Sequence, residues 1–205
     1  MTLPMVGAAI WGIVVAGFGA WMTDLSPWYY ALRNPGWKPP DWLFGPAWTI
    51  ILTLASYAAY LGWQNAPNDD SRRVVAGLFV INGLANIVWS LLFFRQRRPD
   101  RALAEMVVLW LSIAVLIVVL APISTTAGLA MAPYLIWVSF AGVLNLSIVR
   151  RNYPFNGRNA RDGLTATGGF GSAPRARGGT SRMMPPAKNA AARDVTKRRD
   201  TGKPP

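Results

Sequence analysis

Apolar positions fall along this chain in long blocks separated by short polar stretches. Five blocks, 4–23, 46–63, 74–94, 102–121 and 130–149, are almost wholly apolar. Each is near the roughly 20 residues that a helix needs to cross the hydrocarbon layer of a bilayer. The predicted fold class is therefore all-α, a membrane bundle of five transmembrane helices. The first block has no Lys or Arg ahead of its apolar core and no small-residue cleavage site before Asp24. It is expected to be retained as a span rather than removed as a leader.

The polar residues inside the blocks are few and ordered. In the third block Asn82, Asn86, Trp89, Ser90 and Phe93 fall on one helical face. In the fifth, Tyr134, Trp137, Ala141, Leu144, Asn145 and Ile148 repeat the pattern. A polar side chain at membrane depth faces protein, water or ligand. Two such faces either line one cavity or bond helix to helix, a contact worth roughly 0.6–2 kcal/mol in a membrane. The tryptophans favour the cavity. Ala8, Gly12, Ala16 and Ala20 form a small-residue stripe on the first helix, suited to close packing within the chain ahead of a dimer contact. Glu105 lies about one turn into the fourth helix with Arg101 at i−4, and is expected to reach back to the interface.

The connector between the first two helices is the densest feature of the chain. Residues 28–49 hold Trp28, Trp37, Trp42 and Trp48, with Trp21 just upstream, among Pro35, Pro39, Pro40 and Pro46. The prolines forbid a helix through Lys38-Pro39-Pro40 and predict a stiff, extended segment. A loop of rigid aromatics serves either as a lid over a flat apolar ligand or as an aromatic belt at the membrane surface.

Charge adds orientation and a second region. The chain has 21 Lys+Arg against 9 Asp+Glu, and eleven of the basic residues follow Asn152. Residues 1–152 are read as the membrane domain and 153–205 as a basic, disordered tail rich in Gly, Pro, Ala and Arg. It is expected to be a solvated tail without a dedicated partner; of the partners open to it anionic lipid is nearer, and no nucleic acid is expected. Arg33, Lys38, Arg95, Arg97, Arg98, Arg101, Arg150 and Arg151 fall on one side of a five-span chain, whereas Arg72 and Arg73 opposite are offset by Asp69 and Asp70. The bias predicts the N-terminus outside and the tail cytoplasmic, in a bacterial cell membrane.

Chemistry is bounded by what is missing. Without cysteine or histidine there are no disulfides, no thiolate or Ser-His-Asp catalysis, and no zinc site of the usual kind. No phosphate-binding glycine loop or metal-spaced cluster is present, so no metal and no obligatory cofactor is expected. No inverted repeat is present either, and five spans do not divide into equal halves, which weakens a secondary-transporter reading.

Three ordered motifs then carry a resemblance. They are W-Y-x-x-L-x-x-P-x-W-x-P-P-x-W-x-F-G-P-x-W-T at 28–49, N-x-x-W-S-x-L-F-F at 86–94 and P-Y-L-x-W-x-x-F-A-x-x-L-N at 133–145. Together they resemble the TspO/MBR family of tryptophan-rich sensory proteins, related to the mitochondrial translocator protein, over roughly residues 5 to 152. The resemblance implies a five-helix bundle, often a homodimer, that binds porphyrin or haem beneath the first loop. The ligand-binding residues it implies are Tyr29, Phe44, Gly45, Trp48, Asn86, Trp89, Ala102, Trp137, Ala141, Leu144 and Asn145. The expected function is a tetrapyrrole-binding sensor or transporter, not an enzyme. The alternative is light-dependent porphyrin degradation through Trp48 and Trp137, and a third reading is an interaction protein that uses the loop as an anchor. Arg33, Lys38 and Arg101 are candidates to meet the propionates at the cytoplasmic rim. Haem would be held by shape, with Tyr or Met as the only ligation open to it. The animal cholesterol motif lacks its tyrosine in the stretch Leu144-Asn-Leu-Ser-Ile-Val-Arg150, and Arg101 stands where animal members carry a pocket tryptophan.

Overall fold

The structure, a computed structural model, describes residues 3–155. The expectations for the tail beyond residue 155 lie outside the described residues. Among the described residues there are helices and no strand. In chain order these are α1 (Leu3–Met22), the short α2 (Pro27–Ala31), α3 (Phe44–Asn65), α4 (Asp69–Ser90), α5 (Pro99–Ile123) and α6 (Thr125–Asn152). A 3₁₀ turn at Asp41–Leu43 leads into α3, and a π turn at Leu91–Arg95 prolongs α4. Among the described residues, five helices are long and apolar enough to cross a membrane.

The helices close a ring: α1 packs on α3 and α4, α3 on α6, α6 on α5, and α5 on α4. Leu109, Ile113, Leu116, Leu120, Met131 and Val138 fill its centre at no more than 1% exposure. Large aliphatic side chains such as Ile13, Val118 and Ile136 point outward at 70–72% exposure. In water that surface would be a severe cost; in lipid it is the stable arrangement. The protein is a multi-pass integral membrane protein.

Helix ends follow local chemistry more closely than the apolar blocks did. Asn68 caps α4 by accepting from the Ser71 N–H at 2.8 Å, with Asp69 and Asp70 in the first turn. Those acids pair with Arg72 at 2.7 Å and Arg73 at 3.0 Å, which discharges that end of the bundle. The stretch 122–129, which separates the fourth and fifth apolar blocks, is helical except at Ser124. Pro122 is tolerated in the last turn of α5, Ser124 caps α6 by accepting from the Ala127 N–H, and Gly128 packs against Ala121. In the small-residue stripe of α1 Gly12 is packed inward, where a Cβ would lie 2.2 Å from Ser56 Oγ, whereas Ala16 and Ala20 are exposed.

The π turn aims Phe93 and Phe94 toward the first connector. Arg97 follows in the left-handed region at φ 54° and redirects the chain into α5. It also reaches back to the first connector, 4.0 Å from Asp24 and 5.9 Å above the Trp28 ring. Arg95 donates to the Trp21 carbonyl at 2.6 Å. The two basic loops are thus braced on the same end of the bundle.

Candidate ligand-binding site

Between α1, α3, α4 and α6, under the 23–43 connector, lies a cavity of ≈ 730 Å³. A second hollow of ≈ 410 Å³ at the opposite end has Trp11, Trp63 and aliphatic side chains in its wall, and the Trp11 indole already donates to the Phe79 carbonyl at 2.8 Å. Only the larger one combines aromatic faces with amides and charges, the pattern expected of a specific ligand site.

Proline decides how the roof is built. Pro27 opens α2, one turn of helix where an extended segment was expected, because proline suits the first helical position. That turn buries Tyr29 and Leu32 against Phe93, Leu144 and Ile148. Pro39 and Pro40 then keep the chain extended until Asp41. The roof is tied to the end of α6. The Arg33 N–H donates to Asn152 Oδ1 at 2.9 Å, and Asn152 Nδ2 donates to the Arg33 carbonyl at 3.1 Å. Trp37 adds an edge contact to Phe140 on α6 at 5.8 Å.

The tryptophans divide between the two roles weighed for the loop. Trp21 and Trp42 stand outward at 64% and 71% exposure, as belt residues do. Trp48 forms part of the cavity wall, edge-on to Tyr134 at 5.9 Å. Trp89 lies in the wall too, stacked on Phe93 at 5.4 Å, with its indole N–H buried and without an acceptor among the described residues.

The asparagines face the cavity and also bridge helices. Asn86 donates to the Tyr134 hydroxyl at 2.9 Å. Asn145 is placed to donate to the Pro99 carbonyl at 3.1 Å and to accept from the Leu103 N–H at 3.2 Å. Deeper down, Asn82 donates to Ser112 Oγ at 2.8 Å. Cavity lining and interhelical bonding therefore coexist in the same side chains.

Of the residues named from the sequence, Tyr29, Phe44, Gly45, Trp48, Asn86, Trp89, Ala141, Leu144 and Asn145 come together in the wall. Ala102 does not. It is wholly buried beneath Tyr29 and Phe93, within the α5 packing. Trp137 stands behind Phe44, edge-on at 5.6 Å, rather than in the wall. Arg33 and Arg101 are outside the lining, and both are exposed. Glu105 departs from its expected place at the interface: both carboxylate oxygens are buried without a hydrogen-bond partner. The reason is that α5 begins at Pro99, so Glu105 sits nearly two turns inside the helix, and among the described residues no ion pair joins it to the exposed Arg101.

Ser90 and Phe93, read from the sequence on the polar face of α4, are in the wall as well. Other wall residues escaped the sequence reading: Val15, Ala16, Gly19 and Ala20 of α1 on one side, and Phe94 on another. Asp41 is the omission with chemical weight. It accepts from the Tyr29 hydroxyl at 2.7 Å and pairs with Lys38 through the same oxygen. Burial, with the Asp41 carboxylate beside it, pushes the Tyr29 phenol above its ordinary range. Its signal was legible: Asp41 is the sole acid in 28–49 and lies three residues from Lys38.

Comparison with known proteins agrees with this architecture. The chain is 41% identical over 130 residues to the tryptophan-rich protein TspO of Chlorobaculum tepidum, covering 62% of this chain and 81% of that one. It is 36% identical over 155 residues to the tryptophan-rich protein TspO of Archaeoglobus fulgidus, covering 74% and 99%. With the human translocator protein the identity is 30% over 131 residues, covering 63% and 78%. The TspO/MBR family pattern matches residues 5–151, which takes in all five spans and every wall residue of the cavity, and the chain belongs to that family.

Proposed function

We propose that this protein binds a tetrapyrrole in the roofed cavity and acts as a membrane sensor or carrier of it. The observation that carries the reading is the cavity wall: flat aromatic faces from Trp48, Trp89 and Phe44 in a space of ≈ 730 Å³, with amides and a charged cluster toward the roof. A tetrapyrrole is a flat aromatic ring with carboxylates along one edge, and its ring suits offset stacking and edge contacts with indoles. The buried Trp89 N–H without an acceptor offers such a ligand a donor.

Titration of the purified protein with protoporphyrin IX, read by quenching of tryptophan fluorescence, tests it. Saturable binding weakened at least about tenfold by Trp48→Ala, and much less by Trp137→Phe, is the expected result. Partitioning that never saturates and matches empty detergent would refute it. Degradation would require both indoles to serve one ligand, and the position of Trp137 behind Phe44 favours binding over that chemistry. The basic loops and Arg150 gather at one end, and that bias supports a roof on the cytoplasmic side. Reporter fusions after Asn68 and after Asn156 then register the outer and the cytoplasmic face respectively; both on one side would overturn the count of five spans, and the reverse assignment would sink the orientation.

A further inference from the structure

One wall of the cavity carries a charged cluster in otherwise aromatic surroundings. Lys38 Nζ contacts Asp41 Oδ1, the Tyr29 hydroxyl donates to that same oxygen at 2.7 Å, and the ammonium stands 5.1 Å above the Tyr29 ring. All three residues line the cavity. The Lys38 side chain is 14% exposed and that of Asp41 31%. A cation so nearly enclosed needs a carboxylate beside it, whether from the protein or from a ligand.

We propose that Asp41 holds the place of a ligand carboxylate, and that an acidic tetrapyrrole binds by taking Lys38 from it. This rests on the reading of the cavity as a tetrapyrrole site and adds what selects the ligand. Asp41 survives the exchange without a stranded charge, because Tyr29 still donates to it and about a third of its side chain remains open to water. Lys38 exchanges one carboxylate for another, so the number of paired charges at the roof is unchanged. Asp41 is therefore an internal competitor. It keeps the empty site neutral, and it sets a threshold that a neutral ring lacking carboxylates has no means of crossing to gain an ion pair.

The test compares protoporphyrin IX with its dimethyl ester, which keeps the ring and removes both charges. Each is titrated into the wild type and into Lys38→Met, Lys38→Gln and Asp41→Asn. The wild type binds the free acid more tightly than the ester. Both Lys38 variants abolish that preference by weakening the acid about tenfold while leaving the ester near its wild-type affinity. Asp41→Asn tightens the acid about threefold to tenfold and leaves the ester unchanged, because the competitor is gone and the cation remains. Equal binding of acid and ester by the wild type overturns the proposal. So does an equal loss of both ligands in the Lys38 variants, which would make Lys38 a packing residue, or weaker acid binding in Asp41→Asn. Saturable binding without charge preference removes this inference alone, whereas failure of either porphyrin to saturate removes the tetrapyrrole reading along with it.

Discussion

The roof of the cavity is held shut at one edge by a single side chain, and its removal gives a measurable opening. Asn152 receives the Arg33 N–H at 2.9 Å and donates to the Arg33 carbonyl at 3.1 Å, joining residues 119 positions apart. A neutral hydrogen bond adds about 0.5–1.5 kcal/mol net. Both of these lie near solvent, so the lower half of that range applies, and the pair contributes about 1–2 kcal/mol to the closed roof. Asn152→Ala should therefore raise the open population roughly fivefold to thirtyfold. Amide hydrogen exchange followed by mass spectrometry reads this directly. Peptides covering residues 28–40 should exchange faster by that factor, while the centres of α5 and α6 stay protected. Asn152→Asp keeps the acceptor for the Arg33 N–H and loses both donor bonds, to Arg33 and to the Ile148 carbonyl, so its effect should fall between the two. Unchanged exchange over 28–40 would refute the clamp. Uniformly faster exchange across α6 would instead assign Asn152 to the helix end alone.

Two further results follow from the packing and from the roof. A Cβ on Gly62 would lie 2.5 Å from Leu120 Cδ2 and 3.2 Å from Val75 Cγ1, both in the buried core, whereas nothing lies within 4 Å of one on Gly77. Thermal unfolding in detergent should therefore place Gly62→Val about 1–3 kcal/mol below Gly77→Val, and equal midpoints would contradict the α3–α5 contact. The Tyr29 phenol is raised above its ordinary value in the folded protein, so its contribution is fully present below the unfolded value of about 10 and is lost as pH climbs beyond it. Between neutral pH and strongly alkaline pH the wild type should lose more stability than Tyr29→Phe, and parallel curves would remove Tyr29 as the source.

The five spans could be read from the sequence because membrane helices announce themselves locally, by length and apolarity. The amide-and-tryptophan faces of α4 and α6 were legible for a similar reason. Asn82, Asn86 and Ser90 recur at helical spacing, and a polar side chain at that depth has few places to go. Helix ends were less visible. The apolar block ended at Ala121, yet the helix runs to Ile123 and restarts at Thr125, because capping by Ser124 and a glycine contact decide that turn. Hydropathy carries no record of either.

What remained hidden depended on pairings between distant residues or on a few degrees of helix rotation. Trp137 and Ala141 are four residues apart on α6, yet Phe44 stands in front of the first and leaves the second in the wall. No spacing rule registers a side chain arriving from another helix. Glu105 shows the same sensitivity: an earlier start to α5 turns an interfacial acid into a buried one. The roof combines both effects. Its stiffness is local and comes from Pro35, Pro39 and Pro40, which limit the conformations the connector loses on closing. Its position is non-local and comes from Asn152, Arg97 and Phe140. Releasing this stiff segment costs those rim contacts together with the burial of Tyr29 and Leu32 against Phe93, Leu144 and Ile148. The Trp/Pro composition thus encodes a stiff roof, and its seating rests on that buried anchor as much as on the contacts at its rim.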